Sequence, residues 1–241
     1  MRSFLIAGSF LLAASAFGQE AAKPVLTLDQ IMEKSIDASG GKAAIEKMTS
    51  SVATGTIEIT AMGITTANKT YAKAPDKRLS VTTLEGYGEV LEGFDGKTAW
   101  KQDPQSGLTV LDGELLGQAE RDATFYGALR WNELYPKSEV TGKEKAQGRD
   151  CWMVKLIPAN GRPVMRCFDA ETFQMTRAVN PGPDGSDIPV ELSDYKDIGN
   201  GVKMAHTIKL TLPQLGDLLI RYTEVKTNVE IDDAKFVKPK E

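Results

Sequence analysis

From Ser50 to Thr227 the chain is written largely in period two, and that alternation limits its fold more than any other feature. In "SVATGTIEITAMG", Ala53, Ile57, Ile59 and Ala61 alternate with Thr54, Thr56, Glu58 and Thr60, the pattern of a strand with one wet face. Segments of the same kind follow at 64–73, 78–83, 89–94, 98–102 and 107–111. They resume near Ser138 and continue through 151–157, 163–168, 174–179, 190–195, 204–212 and 218–227, most of them separated by turn residues. Short alternating strands in succession predict an antiparallel meander rather than a β-α-β fold. A sheet of about ten or eleven strands must curl or close, and its concave face then needs a cover.

Two segments supply that cover. Before the strands, "LTLDQIMEKSIDASGG" places Gln30 three residues after Thr27 as a capping box, repeats Leu28, Ile31, Met32 and Ile36 at helical spacing, and stops at Gly40-Gly41. In the middle, "DGELLGQAERDATFYGALRWNELYP" carries Leu115, Ala119, Tyr126 and Leu129 on one helical stripe with Pro136 as terminator, which predicts a helix or a helix pair. The expected class is mainly β (α+β): an unclosed antiparallel half-barrel with an N-terminal helix and a central helical lid.

The first residues, "MRSFLIAGSFLLAASAFGQEAAK", combine Arg2, an apolar run from Phe4 to Phe17 and small residues before a charged stretch. This is the form of a secretory signal peptide spanning residues 1–18. At roughly 14 residues the run is short for a bilayer crossing, and no cysteine follows the expected cleavage point to take a lipid anchor. Residues 19–241 are expected to form one domain, exported and without a transmembrane anchor after cleavage. The whole chain has 29 Lys and Arg against 33 Asp and Glu, a net charge of -4, and losing Arg2 makes it -5. No basic stripe is present, so no nucleic-acid partner is expected.

Cys151 and Cys167 are the two cysteines, and they flank the hairpin "CWMVKLIPANGRPVMRC". A register centred on Ala159 sets them directly opposite each other, where a disulfide would add about 3 kcal/mol. A one-residue shift toward an Asn160-Gly161 turn spoils that opposition. The disulfide is the expected state in an oxidising compartment, with two buried thiols as the alternative.

Catalytic chemistry is hard to assemble from this sequence. The single histidine, His206, shares a strand face with Met204, Ile208 and Leu210 and is expected to be a core residue satisfied by backbone. No Gly-x-Ser-x-Gly elbow, Walker loop or Gly-x-Gly-x-x-Gly run occurs. One His and two Cys on adjacent strands are too few for zinc. "PDGSD" at 183–187 and Asp232-Asp233 read as ordinary turns. No enzyme activity, cofactor or metal is expected.

One hairpin raises a sharper question, because "EGFDGKTAWKQDPQSG" is short and polar yet carries Trp100. An indole there must pack on core or on a guest. The run "GFDGKTAWKQDP", with Asp95, Gly96, Lys97, Trp100, Asp103 and Pro104, resembles the central segment of the LolA-like outer-membrane lipoprotein-sorting superfamily. "YAKAPDKRLSV", "DASGGKAAIEKM" and "TEVKTNVEIDDAKFVKP" extend the likeness over most of residues 19–241. The resemblance implies a half-barrel plugged by helices, a cavity for acyl chains, and a soluble carrier role in the bacterial periplasm. One departure stands out: where the family's carrier has an arginine directly before the matching proline, this sequence has Ala74 before Pro75.

The function expected on this basis is an exported periplasmic carrier or binding protein, a monomer, holding lipid or lipoprotein acyl chains. The alternative is a non-catalytic envelope interaction or stress-sensing module with a filled core and an envelope protein as partner. Candidate wall residues are Ile57, Ile59, Leu91, Trp100, Leu210, Leu218 and Ile220 on strands, with Leu115, Tyr126 and Leu129 as lid. Burying one methylene is worth about 0.8 kcal/mol, so such a wall needs little polar chemistry to bind.

Overall fold

The computed structural model describes residues 26–182 and 184–240, so the signal peptide expected at 1–18 and part of the 183–187 turn lie outside it. Its first meander comprises β1 (Ser50–Ile59), β2 (Ile64–Lys73), β3 (Lys77–Leu84), β4 (Gly88–Phe94), β5 (Ala99–Asp103) and β6 (Gly107–Val110). A second comprises β7 (Glu139–Ala146), β8 (Arg149–Leu156), β9 (Val164–Asp169), β10 (Met175–Pro181), β11 (Asp187–Asp197), β12 (Lys203–Leu212) and β13 (Gly216–Thr227). All join one antiparallel sheet in the order β6-β5-β4-β3-β2-β1-β13-β12-β11-β10-β9-β8-β7. The thirteen strands exceed the ten or eleven expected, because every alternating segment pairs, including the short or polar ones at the edges.

The order explains why the barrel is unclosed. Strands β6 and β7 are consecutive in sequence yet form the two edges, and the chain between them leaves the sheet as α3 (Gly113–Ala123) and α4 (Trp131–Leu134). The first and last strands pair in the middle, from Ser51 opposite Thr227 to Ile59 opposite Leu218. A bulge interrupts that pair between Thr54 and Gly55, and a Cβ on Gly55 would collide with the main chain of Arg221.

Helix α1 (Leu28–Ala38) begins at the expected capping box: Gln30 N–H donates to Thr27 Oγ1 at 3.3 Å and Thr27 N–H to Gln30 Oε1 at 3.0 Å. Its Ile31 and Met32 pack on Trp152, Val154, Leu156 and Phe168, so α1 covers the β8–β9 end of the sheet. The short α2 (Lys42–Ile45) leads into β1. At the other end, Leu116, Ala119 and Ala123 of α3 pack on Phe94 and Ala99.

On the opposite face lie two further clusters. Cys151 and Cys167 are bonded there, among Ala146, Met153 and Met165. The pairing differs from the expected one: Cys151 faces Asp169 and Cys167 faces Met153, so the cysteines are diagonal neighbours with Cα atoms 5.5 Å apart. The hairpin is centred on Asn160 rather than Ala159. That displaces each partner by two residues, which keeps both sulfurs on one face. The second cluster is the C-terminal segment: a 3-10 turn over Asp233–Phe236, begun by Asp232 accepting from Ala234 N–H at 2.9 Å, lays Ile231 and Phe236 on Leu79 and Trp100.

Candidate functional site

Helix α3 lies across the open side of the sheet. Its residues Leu115, Gln118, Ala119 and Asp122, at successive spacings of three, one and three, line a hollow of about 310 Å³ with Phe94, Arg78 and the Lys101–Glu92 ion pair from β3–β5. Pro181 and Ile188 complete that hollow from β10 and β11. Strands β4 and β10 stand seven places apart, and a flat sheet would hold them roughly 34 Å apart. That they share a hollow shows how strongly the sheet curls.

A second hollow, of about 270 Å³, lies between α1, the lid and β8–β11. Met32, Ile36, Trp131, Leu134, Leu156 and Phe168 make its apolar walls, and Arg121, Arg166, Tyr135 and Tyr195 bring polar groups to it. Burial pushes the Tyr195 hydroxyl up to about 12, and it donates to Met175 O at 2.7 Å. Burial also pulls the Arg166 guanidinium below its ordinary value, opposed by Tyr135 and Asp122. Arg166 donates to Asn180 Oδ1 at 2.8 Å and Met165 O at 2.9 Å.

Asp122 sits where the two hollows approach each other. Its side chain is open to the concavity, yet the walls of the concavity surround it. That enclosure pushes its carboxyl above the usual carboxylate range, and Arg78, Arg166 and Arg121 pull it back only in part.

The lid is fixed at several points. Phe125 N–H donates to Pro75 O at 2.9 Å and Tyr126 Oη–H to Met48 O at 2.7 Å. Toward the opposite wall, Arg121 Nη1 donates to Asn160 O at 3.2 Å, and Glu114 Oε1 accepts Arg162 N–H at 2.8 Å. The main chain of Pro75 thus holds the lid directly beside Ala74, whose methyl can make no such polar contact.

The candidate wall residues divide between the two faces. Ile57 faces Ile220, Ile59 faces Leu218, and Leu218 faces Leu210. The row continues through Val190 and Ala178 to Arg166, which puts all five on the face that carries the second hollow. Leu115 lies over the first hollow, 40 % exposed. Ile59 also borders a separate surface recess with Met62, Ile64 and Tyr87.

Trp100 and Leu91 are corrections. Gly93 pairs with both Trp100 and Leu79, and Leu91 with Val81, so they alternate with Phe94 and Ala99 and project from the opposite face. Trp100 borders the first hollow, but with 2 % of its surface exposed it adds almost nothing to that wall. Its ring lies over Gly93, packs on Phe236, and donates from Nε1 to Phe236 O at 3.1 Å. The protein's own C-terminal segment is what the indole packs against. Tyr126 and Leu129 lie in the segment that bridges the concavity but not on a helical stripe, because α3 ends at Ala123 and both fall in the turns before α4. His206 is buried, with Nδ1 2.9 Å from Met204 O.

The charged residues of the hollows went unnoticed in the sequence, although a signal existed. Arg166 shares its strand face with Val164 and Phe168, and Asp122 extends the stripe of Leu115 and Ala119. A lone charge on an apolar stripe marks a polar group aimed inward. Among the described residues no group of three or more His, Cys, Asp or Glu is placed to hold a metal ion.

The architecture defines a class: an open antiparallel half-barrel whose concave face is bridged by a helical lid. Solved structures place it more narrowly. A DUF1329 family protein from Desulfovibrio piger is similar with 16 % identity and a TM-score of 0.60, covering 87 % of this chain and 96 % of that one. A putative outer membrane lipoprotein-sorting protein domain from Vibrio parahaemolyticus shares 14 % identity at a TM-score of 0.58, over 85 % and 95 %. The LolA superfamily protein NE2245 from Nitrosomonas europaea shares 13 % at 0.59, over 89 % and 99 %. The chain has a LolA-like fold. No family model and no curated protein sequence matches it.

Proposed function

We propose that this protein is an exported carrier that holds an apolar chain between the lid and the concave face of the sheet. The observation that carries the reading is the pair of hollows under the lid, whose walls are largely apolar and which the protein's own side chains leave open. Each is about twice the ~150 Å³ cavity known to take up benzene, room for a chain of roughly a dozen carbons. Ten buried methylenes would contribute about 8 kcal/mol before ordering costs. The half-buried row of Ile57, Ile59, Leu210, Leu218 and Ile220 extends the surface available to a longer guest if the lid lifts. The signal peptide read at residues 1–18, the disulfide and the lipoprotein-sorting name of one structural neighbour support export and a lipid or lipoprotein cargo.

The test is native mass spectrometry of the exported protein followed by organic extraction, with displacement of a fluorescent fatty acid as a second readout. Co-purifying lipid and displacement are expected. Recovery without lipid, together with no displacement, overturns the reading. A second reading, an envelope interaction module, draws on Met62 and Leu215, exposed at neighbouring hairpin ends. A stoichiometric protein partner recovered with no lipid would favour it.

A further inference from the structure

The arginines among the described residues fall into two groups. Arg130, Arg149, Arg162, Arg177 and Arg221 each pair with a carboxylate within 4 Å. The only arginines among the described residues without such a partner are Arg78, Arg121 and Arg166, and these are the ones gathered round Asp122 in the hollows. Arg121 and Arg166 donate to neutral oxygens. The second hollow, which they border, has no carboxylate among the described residues lining it.

Guanidinium groups set against apolar walls are costly unless a hydrogen-bonded anion compensates them. Apart from the mutually paired Lys101 and Glu92, one carboxylate stands among three cations, so the region carries an excess of positive charge. Guanidinium forks match carboxylate and phosphate oxygens in geometry as well as charge. The apolar pocket beside them suits a chain. We infer that this cluster is the head-group site of an anionic amphiphile, whose oxyanion sits against Arg78, Arg121 and Arg166 while its chain occupies the apolar hollow. The inference rests on the carrier reading above and narrows it from any apolar guest to a fatty acid or a phosphate-bearing lipid. Asp122 acts as the internal counter-ion that the ligand's head group opposes, so it lowers affinity for an anion and has no such effect on a neutral chain.

Three probes of equal chain length separate the possibilities: dodecanoate, dodecyl phosphate and dodecanol, each titrated calorimetrically below its micelle concentration into the delipidated protein. Charge-assisted hydrogen bonds predict that at least one anion binds roughly 10- to 100-fold more tightly than the alcohol. Whichever anion is preferred identifies a carboxylate or a phosphate source. Arg166→Gln and Arg121→Gln should each weaken the anion about 10-fold or more and leave dodecanol unchanged, and Asp122→Asn should tighten the anion. The hydrogen bond of Arg121 to Asn160 O is exposed, so R121Q carries the test if R166Q does not fold. Equal binding of all three probes, unmoved by these variants, overturns the head-group site and leaves the carrier reading standing. Binding of none overturns both.

Discussion

Replacing Gly93 by alanine tests where the Trp100 ring lies and what holds it. A Cβ at position 93 would fall on Cε2 and Cζ2 of that ring. The indole cannot step aside freely, because it is nearly fully buried between Leu79 and the C-terminal Phe236, and its Nε1 is tied to Phe236 O. Overpacking of this kind costs about 1–3 kcal/mol. Losing the indole hydrogen bond as the ring shifts adds about 1 kcal/mol. The expected destabilisation is therefore roughly 2–4 kcal/mol, and for a chain of this size it lowers the melting temperature by roughly 5–15 °C. Thermal unfolding by circular dichroism reads the loss, and limited proteolysis should show the segment after Thr227 released first. Ligand affinity at the hollows should be little changed, since the ring projects from the other face and adds almost nothing to the wall of the first hollow that it borders. A G93A variant with wild-type melting and weakened ligand binding would show that Trp100 walls the cavity after all, and the assignment of faces would fail with it.

Two further outcomes follow from groups outside the hollows. Reduction, or the Cys151→Ser/Cys167→Ser pair, should lower unfolding stability in urea by about 3 kcal/mol, as expected for a crosslink spanning 16 residues; an unchanged midpoint would mean that the cysteines do not constrain the chain. Burial pushes the Asp169 carboxyl up, and Thr172 and Glu171 N–H, the Thr172 hydroxyl and Arg149 more than reverse it, so its pKa ends below the ordinary value. A depressed carboxylate contributes stability that is fully present above about pH 4 and lost as pH falls through the folded-state value. Asp169→Asn should cost about 2 kcal/mol at neutral pH and flatten the acid limb of the stability curve; a parallel acid limb in the variant would refute the linkage.

Much of this architecture is legible in the sequence because alternation and capping are local signals. The strands announce themselves by period two, and α1 by Thr27, Gln30 and the spacing of Ile31 and Met32. Face assignment is less accessible. Trp100 and Ala99 are neighbours in sequence, and which of them faces the lid depends on the pairing of β4 with β5 and on a C-terminal segment more than 130 residues away. The same holds for Cys151 and Cys167, whose relation turns on where the hairpin centres. Tyr126 and Leu129 fit a helical stripe on paper, but the backbone breaks into turns after Ala123, so they reach the lid without being helical. The arginines could not be grouped from sequence at all. Arg78 and Arg166 stand on strands seven places apart and come together only because the sheet bends round.

The central seam between β1 and β13 also sets an order of events during folding. Each half of the sheet is a run of sequential hairpins that can form from local contacts, but the strands that join the halves lie at opposite ends of the chain, Ser51 meeting Thr227. Such a junction closes the longest loop in the molecule, the slow kind of contact in folding kinetics. Synthesis must therefore deliver Gly216–Thr227 before the two halves are locked together. A chain interrupted ahead of that strand would hold two ribbons with no continuous sheet between them, tied by the helical strap and by α1 where it packs on β8–β9.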